Sequence, residues 1–284
     1  MYDRVVVGTD LSSTAKVATD RAATLASRLE AELIIVHAGT GSDELEALAS
    51  DYGAKAVTAA GPPAEVLIAQ AEAHDAGLIV VGSVGMSGAK RFLLGSVPNK
   101  VSHHAPTDVL IVKTDPPRNS SGYDKVLVGT DGSPTAMRAV DMASSLGSRL
   151  GAKTTIVCVY EPPTEQELEQ YRADPEDPVA QWNVGKDVRD VPSEFKWRIA
   201  GTAQAEDILD RAAEHAAEQG LDAEVRAIEG SPAEELIGLA DSENFDMIAV
   251  GSVGMSGAKR FMLGNVPHRI SHHAATDVLI LRTT

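Results

Sequence analysis

Two apolar patterns alternate along this chain. Short unbroken runs such as RVVVGT (4–9), ELIIVHA (32–38), LIVVGS (78–83) and TDVLIVK (107–113) are rich in β-branched residues. Runs of that kind suit strands buried on both faces. Between them the apolar residues recur at three- and four-residue intervals. Ala15, Ala18, Ala22, Leu25, Ala26 and Leu29 form one such stripe, and Ala64, Leu67, Ile68 and Ala71 another. Both predict helices, the second opened by Pro62-Pro63. AKAVTAA (54–60) predicts a weaker third strand, and a short helix is expected near 97–105. The segment GTGSDELEALASDYG (39–53) has room for about two helical turns and no more.

The pattern then starts again. KVLVGTD (125–131) repeats RVVVGTD (4–10), and residues 250–280 match 81–111 at all but six positions. Strands are expected at KVLVGT, TTIVCVY, AEVRAIEG, DMIAVGS and TDVLILR, and helices after Ser133-Pro134, near 202–219 and near 232–243. The chain therefore reads as a tandem duplication, with domains over 1–115 and 122–284. A Pro/Ser/Gly-rich linker, DPPRNSSGYD (115–124), separates them. Strands alternating with helices predict α/β architecture, a parallel sheet in each copy with helices on both faces. The second copy carries an insertion over 161–200, which holds both tryptophans, Trp182 and Trp197. A connection this long is a disordered acidic loop, a lid or a partner contact.

The repeated loop is the candidate chemistry. GSVGMSGAKRFLLGSVP (82–98) and GSVGMSGAKRFMLGNVP (251–267) each follow a fourth strand. Ligands of open parallel sheets bind outside the carboxyl ends of the strands. Unpaired N–H groups at a helix N-terminus suit phosphate oxygens, and glycine lets the backbone come close. Ser96 adds a hydroxyl, and Lys90 and Arg91 add charge. No GxxxxGK[ST] or GxGxxG is present, which argues against P-loop and ordinary dinucleotide sites. The spacing is G-x2-G-x9-G-S: Gly82, Gly85, Gly95 and Ser96.

With VVVGTD, VLVGTDGSPTA and TDVLIV at the strands, this loop resembles the universal stress protein family in its tandem-domain form. The resemblance covers the chain apart from the insertion. It implies a five-stranded parallel sheet of order 3-2-1-4-5 in each copy. It also implies ATP bound between the first and fourth strands. Position by position, Thr9, Asp10, Thr130 and Asp131 would lie beside the adenosine, and Ala38 and Val159 would meet the adenine edge. Gly82, Gly85, Gly251 and Gly254 would line the ribose and phosphates. Gly95, Ser96 and Val97, with Gly264, Asn265 and Val266, would hold the phosphate chain. Two positions depart from the pattern: Leu11, where the family often has glycine, and Asn265, in place of serine or threonine. Some members with loops like these bind cyclic AMP, so ATP, with Mg2+ as its companion, and cyclic AMP are both carried forward as ligands.

Bulk properties narrow the classes further. A net charge of −16 does not suit the basic face of a nucleic-acid binder or docking on an anionic membrane. One cysteine, Cys158, cannot form an internal disulfide, and with no apolar leader the chain reads as cytoplasmic. No Cys/His spacing calls for a metal, and the SHHA repeats (102–105, 271–274) read as helix C-termini with imidazoles against the dipole. There is no GxSxG or HExxH, and no catalytic residue is assigned. Asp10 reads as a ligand-contacting or helix-capping carboxylate rather than a general base. The expectation is a nucleotide-binding stress or energy-state regulator with at most slow ATP hydrolysis. The fifth strands would be sheet edges, so the copies could pair as a pseudo-dimer, with homodimerisation also open.

Overall fold

The computed structural model describes residues 2–41, 43–84, 94–114, 122–161, 202–253 and 263–283. Gly85, Met86, Lys90, Arg91, Gly254, Met255, most of the linker and the insertion beyond Glu161 lie outside them.

The first copy runs β1 (Arg4–Thr9), α1 (Ser13–Leu29), β2 (Glu32–Ala38), α2 (Asp43–Asp51), β3 (Lys55–Ala59), α3 (Pro63–Ala73), β4 (Leu78–Gly82), α4 (Ser96–His104) and β5 (Asp108–Val112). The second runs β6 (Lys125–Thr130), α5 (Pro134–Leu150), β7 (Lys153–Tyr160), α6 (Thr202–Glu218), β8 (Glu224–Glu229), α7 (Pro232–Ser242), β9 (Met247–Gly251), α8 (Asn265–His273) and β10 (Asp277–Leu281). Each copy orders its strands 3-2-1-4-5, all parallel. The two halves do not stand as separate sheets. β5 and β10 pair antiparallel, Val109 opposite Ile280 and Ile111 opposite Val278, giving one ten-stranded sheet. What would be two exposed edges becomes a seam in which all five residues of each strand are buried.

Local chemistry sets the helix limits. Ser12 and Ser133 cap α1 and α5, each accepting the N–H three residues on at 3.2 Å. Gly151 closes α5 in the left-handed region, where Glu30 does the same for α1. The predicted stripe of α1 is buried as its spacing requires. Pro63 and Pro232 open α3 and α7, where their missing N–H costs no intrahelical bond.

The helices form two layers. α1, α2, α5 and α6 cover one face of the sheet, and α3, α4, α7 and α8 the other. Both cores run unbroken through the two copies. Aliphatic burial dominates: Val5, Val6, Val7, Ile34 and Ile35 are fully buried, each contributing about 1.5–3 kcal/mol.

The seam is also held by polar groups that cross it in reciprocal pairs. Tyr2 and Tyr123 donate to Asp108 and Asp277 at 2.6 and 2.8 Å. Those carboxylates in turn accept the main-chain N–H of Arg282 and Lys113, at 2.7 and 2.8 Å, from the opposite copy. On one face Arg28 donates to the Leu150 carbonyl and Arg149 to Leu29, 2.8 Å away. On the other, Lys113 donates to the Ser271 carbonyl at 2.6 Å, and Arg282 to Ser102. A cation from each copy thus meets a helix C-terminus of the other, where the dipole is negative.

Candidate functional site

The turn after the first strand is built from short side chains folding onto their own backbone. In the second copy Gly132 N–H donates to Thr130 Oγ1 at 3.2 Å, and Ser133 N–H to Asp131 Oδ1 at 3.0 Å. In the first copy Leu11 N–H donates to Thr9 Oγ1 at 3.0 Å, and Ser12 N–H to Asp10 Oδ1 at 3.1 Å. Each aspartate therefore gives one carboxylate oxygen to starting a helix. Gly132 has φ +73°, and a Cβ there would lie 2.4 Å from Ile208 of α6. Leu11 holds the same left-handed conformation at φ +63°. The first copy tolerates a side chain here because its second helix, α2, is short and contributes Leu48 rather than a long α6.

Beyond the fourth strand the glycine loop begins and ends on one residue. Ser83 N–H donates to Val112 O at 2.7 Å, and Ser83 O accepts the Gly95 N–H at 2.8 Å. Ser252 makes the matching bonds, from its N–H to Leu281 O and from Gly264 N–H to its own carbonyl, both 2.8 Å. Gly95 and Gly264 are the N-caps of α4 and α8 and have no side-chain cap. The first-turn amides of both helices are left facing the carboxyl edge of the sheet.

In the second copy these parts converge. A cavity of about 590 Å³ is lined by Thr130, Asp131, Val159, Gly251, Gly264, Asn265 and Val266, all named from the sequence, while Gly254 lies outside the described residues. Its remaining walls come from residues the motifs did not name. These include Gln204, Ala205 and Ile208 of α6, Leu236 of α7, and Cys158, Tyr160 and Glu161 at the end of β7. The strand glycine Gly129 lets α7 approach closely, since a Cβ there would meet Leu236 at 2.8 Å. Cys158 is buried in the floor, and burial with the nearby Asp131 carboxylate pushes its thiol up to about 11. It stays protonated at neutral pH and is a packing group.

The first copy places Ala38, Thr9 and Gly82 at the ends of neighbouring strands β2, β1 and β4, with Asp10 just past β1 and Gly95, Ser96 and Val97 opening α4. Its floor differs. His37 stands where the second copy has Cys158, and its Nδ1 lies 3.0 Å from the Thr9 carbonyl oxygen. A cavity of about 310 Å³ opens between the start of α1 and α2, lined by Thr9, Leu11, Ser12, Lys16, Glu44 and Leu48 among others. Of the described residues expected to contact ligand in this copy, only Thr9 lines it; Asp10, Ala38, Gly82, Gly95, Ser96 and Val97 do not.

One SHHA histidine of the first copy, His103, meets His268 of the second across the seam, which their positions along the chain do not reveal. The ring of His103 is edge-on to His268 at 5.8 Å, and His268 stacks on His272 at 4.4 Å. Burial, then neighbouring His268, lowers the pKa of both His103 and His272. No group of three His, Cys, Asp or Glu among the described residues is arranged to hold a metal ion. No described helix is long and apolar enough to cross a membrane.

Comparison with known proteins agrees with this architecture. The family model described as the universal stress protein family matches residues 1–56, 40–113 and 122–282. A universal stress protein of Mycobacterium tuberculosis is 37% identical over 165 residues, 58% of this chain and 99% of the relative. The universal stress protein YxiE of Bacillus subtilis is 32% identical over 162 residues, 56% of this chain and 99% of the relative. The crystal structure of a universal stress protein from Archaeoglobus fulgidus, 20% identical, covers 99% of both chains with a TM-score of 0.64, a likeness of fold. Duplicated sheets, glycine loops closing on helix N-termini and family matches over both halves lead to one conclusion: the chain belongs to the universal stress protein family.

Proposed function

We propose that the protein binds an adenine nucleotide at the carboxyl edge of its sheet and acts as a regulator responsive to nucleotide level. One observation carries this: the second-copy cavity of about 590 Å³ gathers Thr130, Asp131, Val159, Gly251, Gly264, Asn265 and Val266 on one surface. The volume suits a mononucleotide. Val157, Ile208, Leu236 and Val250 supply an apolar wall for a base, and the first turn of α8 supplies amides for phosphate. Asp131 and Tyr160 line the same cavity and offer polar partners for a ribose.

ATP, accompanied by Mg2+, is the leading ligand. Cyclic AMP is the second reading, and one feature favours it. The described residues lining this cavity include the carboxylates Asp131 and Glu161, which suit a singly charged phosphate better than a triphosphate. In this reading the protein binds its ligand without rapid turnover; one oxygen each of Asp10 and Asp131 accepts the N–H of the capping serine, Ser12 or Ser133.

Calorimetric titration of nucleotide-stripped protein with ATP, ADP, AMP and cyclic AMP tests the reading. Saturable binding of ATP or cyclic AMP is expected, and Gly264→Glu, which puts a carboxylate at the α8 N-terminus, abolishes it in the second copy. Absence of binding by all four nucleotides overturns the proposal.

A further inference from the structure

The residue that follows each fifth strand belongs to one copy and touches the other. Lys113 follows β5 of the first copy, and its ammonium donates to the carbonyl of Ser271, near the C-terminus of α8 in the second. Arg282 follows β10 and donates to Ser102 of α4 in the first copy. α4 and α8 are the helices whose N-termini close the glycine loops. Each has nine residues, about 13 Å of rigid rod. Its N-terminal end faces one site, and its C-terminal end is held from the other copy.

The same strand ends are tied to the loops of their own copies. Thr114, next to Lys113, donates its N–H to Ser83 Oγ at 3.2 Å, and Ser83 carries Gly95 on its carbonyl. Ser252 is bonded through its N–H to Leu281, next to Arg282, and carries Gly264. A continuous chain of bonds therefore leads from the first loop through Ser83, Thr114 and Lys113 to Ser271, and along α8 to the second loop. A mirror chain leads back through Ser252, Leu281 and Arg282 to Ser102 and α4. Between the two rods the ring of His103 lies edge-on to His268 at 5.8 Å, and His268 stacks on His272 of its own helix at 4.4 Å, so the two helices touch directly.

We propose that the ends of β2, β1 and β4 with the start of α4 form a second nucleotide site in the first copy, and that the two sites are coupled across the seam, each copy's last basic residue setting the position of the helix that receives phosphate in the other. This rests on the nucleotide reading above. The physical content is reciprocal: phosphate at the N-terminus of α8 pulls on Lys113 and hence on the first loop, and occupancy of the first site tightens α8. Lys113 and Arg282 are positioning residues and contact no ligand.

The test compares Lys113→Met and Arg282→Met with wild type, using Gly95→Glu and Gly264→Glu backgrounds to silence one site at a time. Hydrogen exchange of the ligand-free protein is read over 96–104 and 265–273. Lys113→Met is expected to speed exchange over 265–273, in the other copy, and to weaken ATP or cyclic AMP at the second site about two- to fivefold. Arg282→Met does the same over 96–104 and at the first site, and Lys113→Arg restores wild-type behaviour. The proposal is overturned if exchange over 265–273 is unchanged in Lys113→Met, or if each variant weakens only its own copy's site. A wild-type protein that binds no nucleotide would defeat the functional reading instead, and the exchange data would still decide whether the clamp sets the helix.

Discussion

The Tyr2 hydroxyl donates to Asp108 Oδ2 at 2.6 Å inside the seam, where Asp108 is 3% exposed. Burial outweighs this bond and the one from Arg282 N–H, and raises the Asp108 pKa to about 6. Asp277 is raised for the same reason. The folded protein thus holds these protons more tightly than the unfolded chain, so stability from this source is greatest below about pH 4 and falls as pH rises to about 6. The full penalty for Asp108 is on the order of 2–3 kcal/mol. Asp108→Asn should flatten the dependence of the thermal midpoint on pH between 4 and 7. It should also leave the protein at least as stable as wild type at pH 8. An unchanged slope would show that Asp108 is not what titrates.

The histidines act with the opposite sign. His103 and His272 have lowered pKa values, so their neutral rings stabilise the fold above the unfolded value of about 6.5. That contribution is lost as pH falls through the folded values. The titratable groups they face are all basic: His103 has His268, His104 and Arg282, and His272 has His268, His273, Lys113 and His103. A His103→Gln, His272→Gln double variant should lose less stability than wild type between pH 7 and 5, measured by chemical denaturation at each pH.

Gly132 leaves no room for a Cβ beside Ile208 at the second site. Gly132→Ala meets both the left-handed backbone and Ile208 at 2.4 Å. A loss of about 2 kcal/mol or more is expected, with nucleotide binding weakened in that copy. Leu11→Gly, at the matching position of the first copy, should stay within about 1 kcal/mol of wild type, since relief at φ +63° offsets lost packing. Urea unfolding of both variants checks the pair.

Asn265 is exposed on the first turn of α8. If a smaller hydroxyl donor serves a longer phosphate chain better, Asn265→Ser strengthens ATP binding at the second site about two- to tenfold. Equal ATP affinity in the two proteins would remove Asn265 as the discriminating residue.

Much of this was legible from local pattern. The runs RVVVGT and DMIAVGS are strands because three or four consecutive β-branched or aliphatic residues need cover on both faces. Ser12 and Ser133 sit where caps are needed. The glycine positions marked the loop ends at Gly95 and Gly264 for the same reason. What stayed hidden depends on partners far along the chain. Ile208 and Gln204 reach the second site only because α6 returns over β7 after the insertion. The Lys113–Ser271 bond spans 158 residues and exists only once β5 and β10 have paired. Nothing in SHHA as a string shows that His103 will meet His268.

The antiparallel seam has a further consequence. Two identical subunits joined about a twofold axis must carry every change twice, once on each side. Here the halves are one polypeptide, and each side of the axis has been free to differ. Arg21 lies 3.7 Å from Asp277 and over the Tyr123 ring, while its counterpart in the second copy is Met142. His268 faces His103 from a position that the first copy fills with Asn99. Covalent fusion lets the two sides of this joint carry different residues, which an identical pair of subunits could not do.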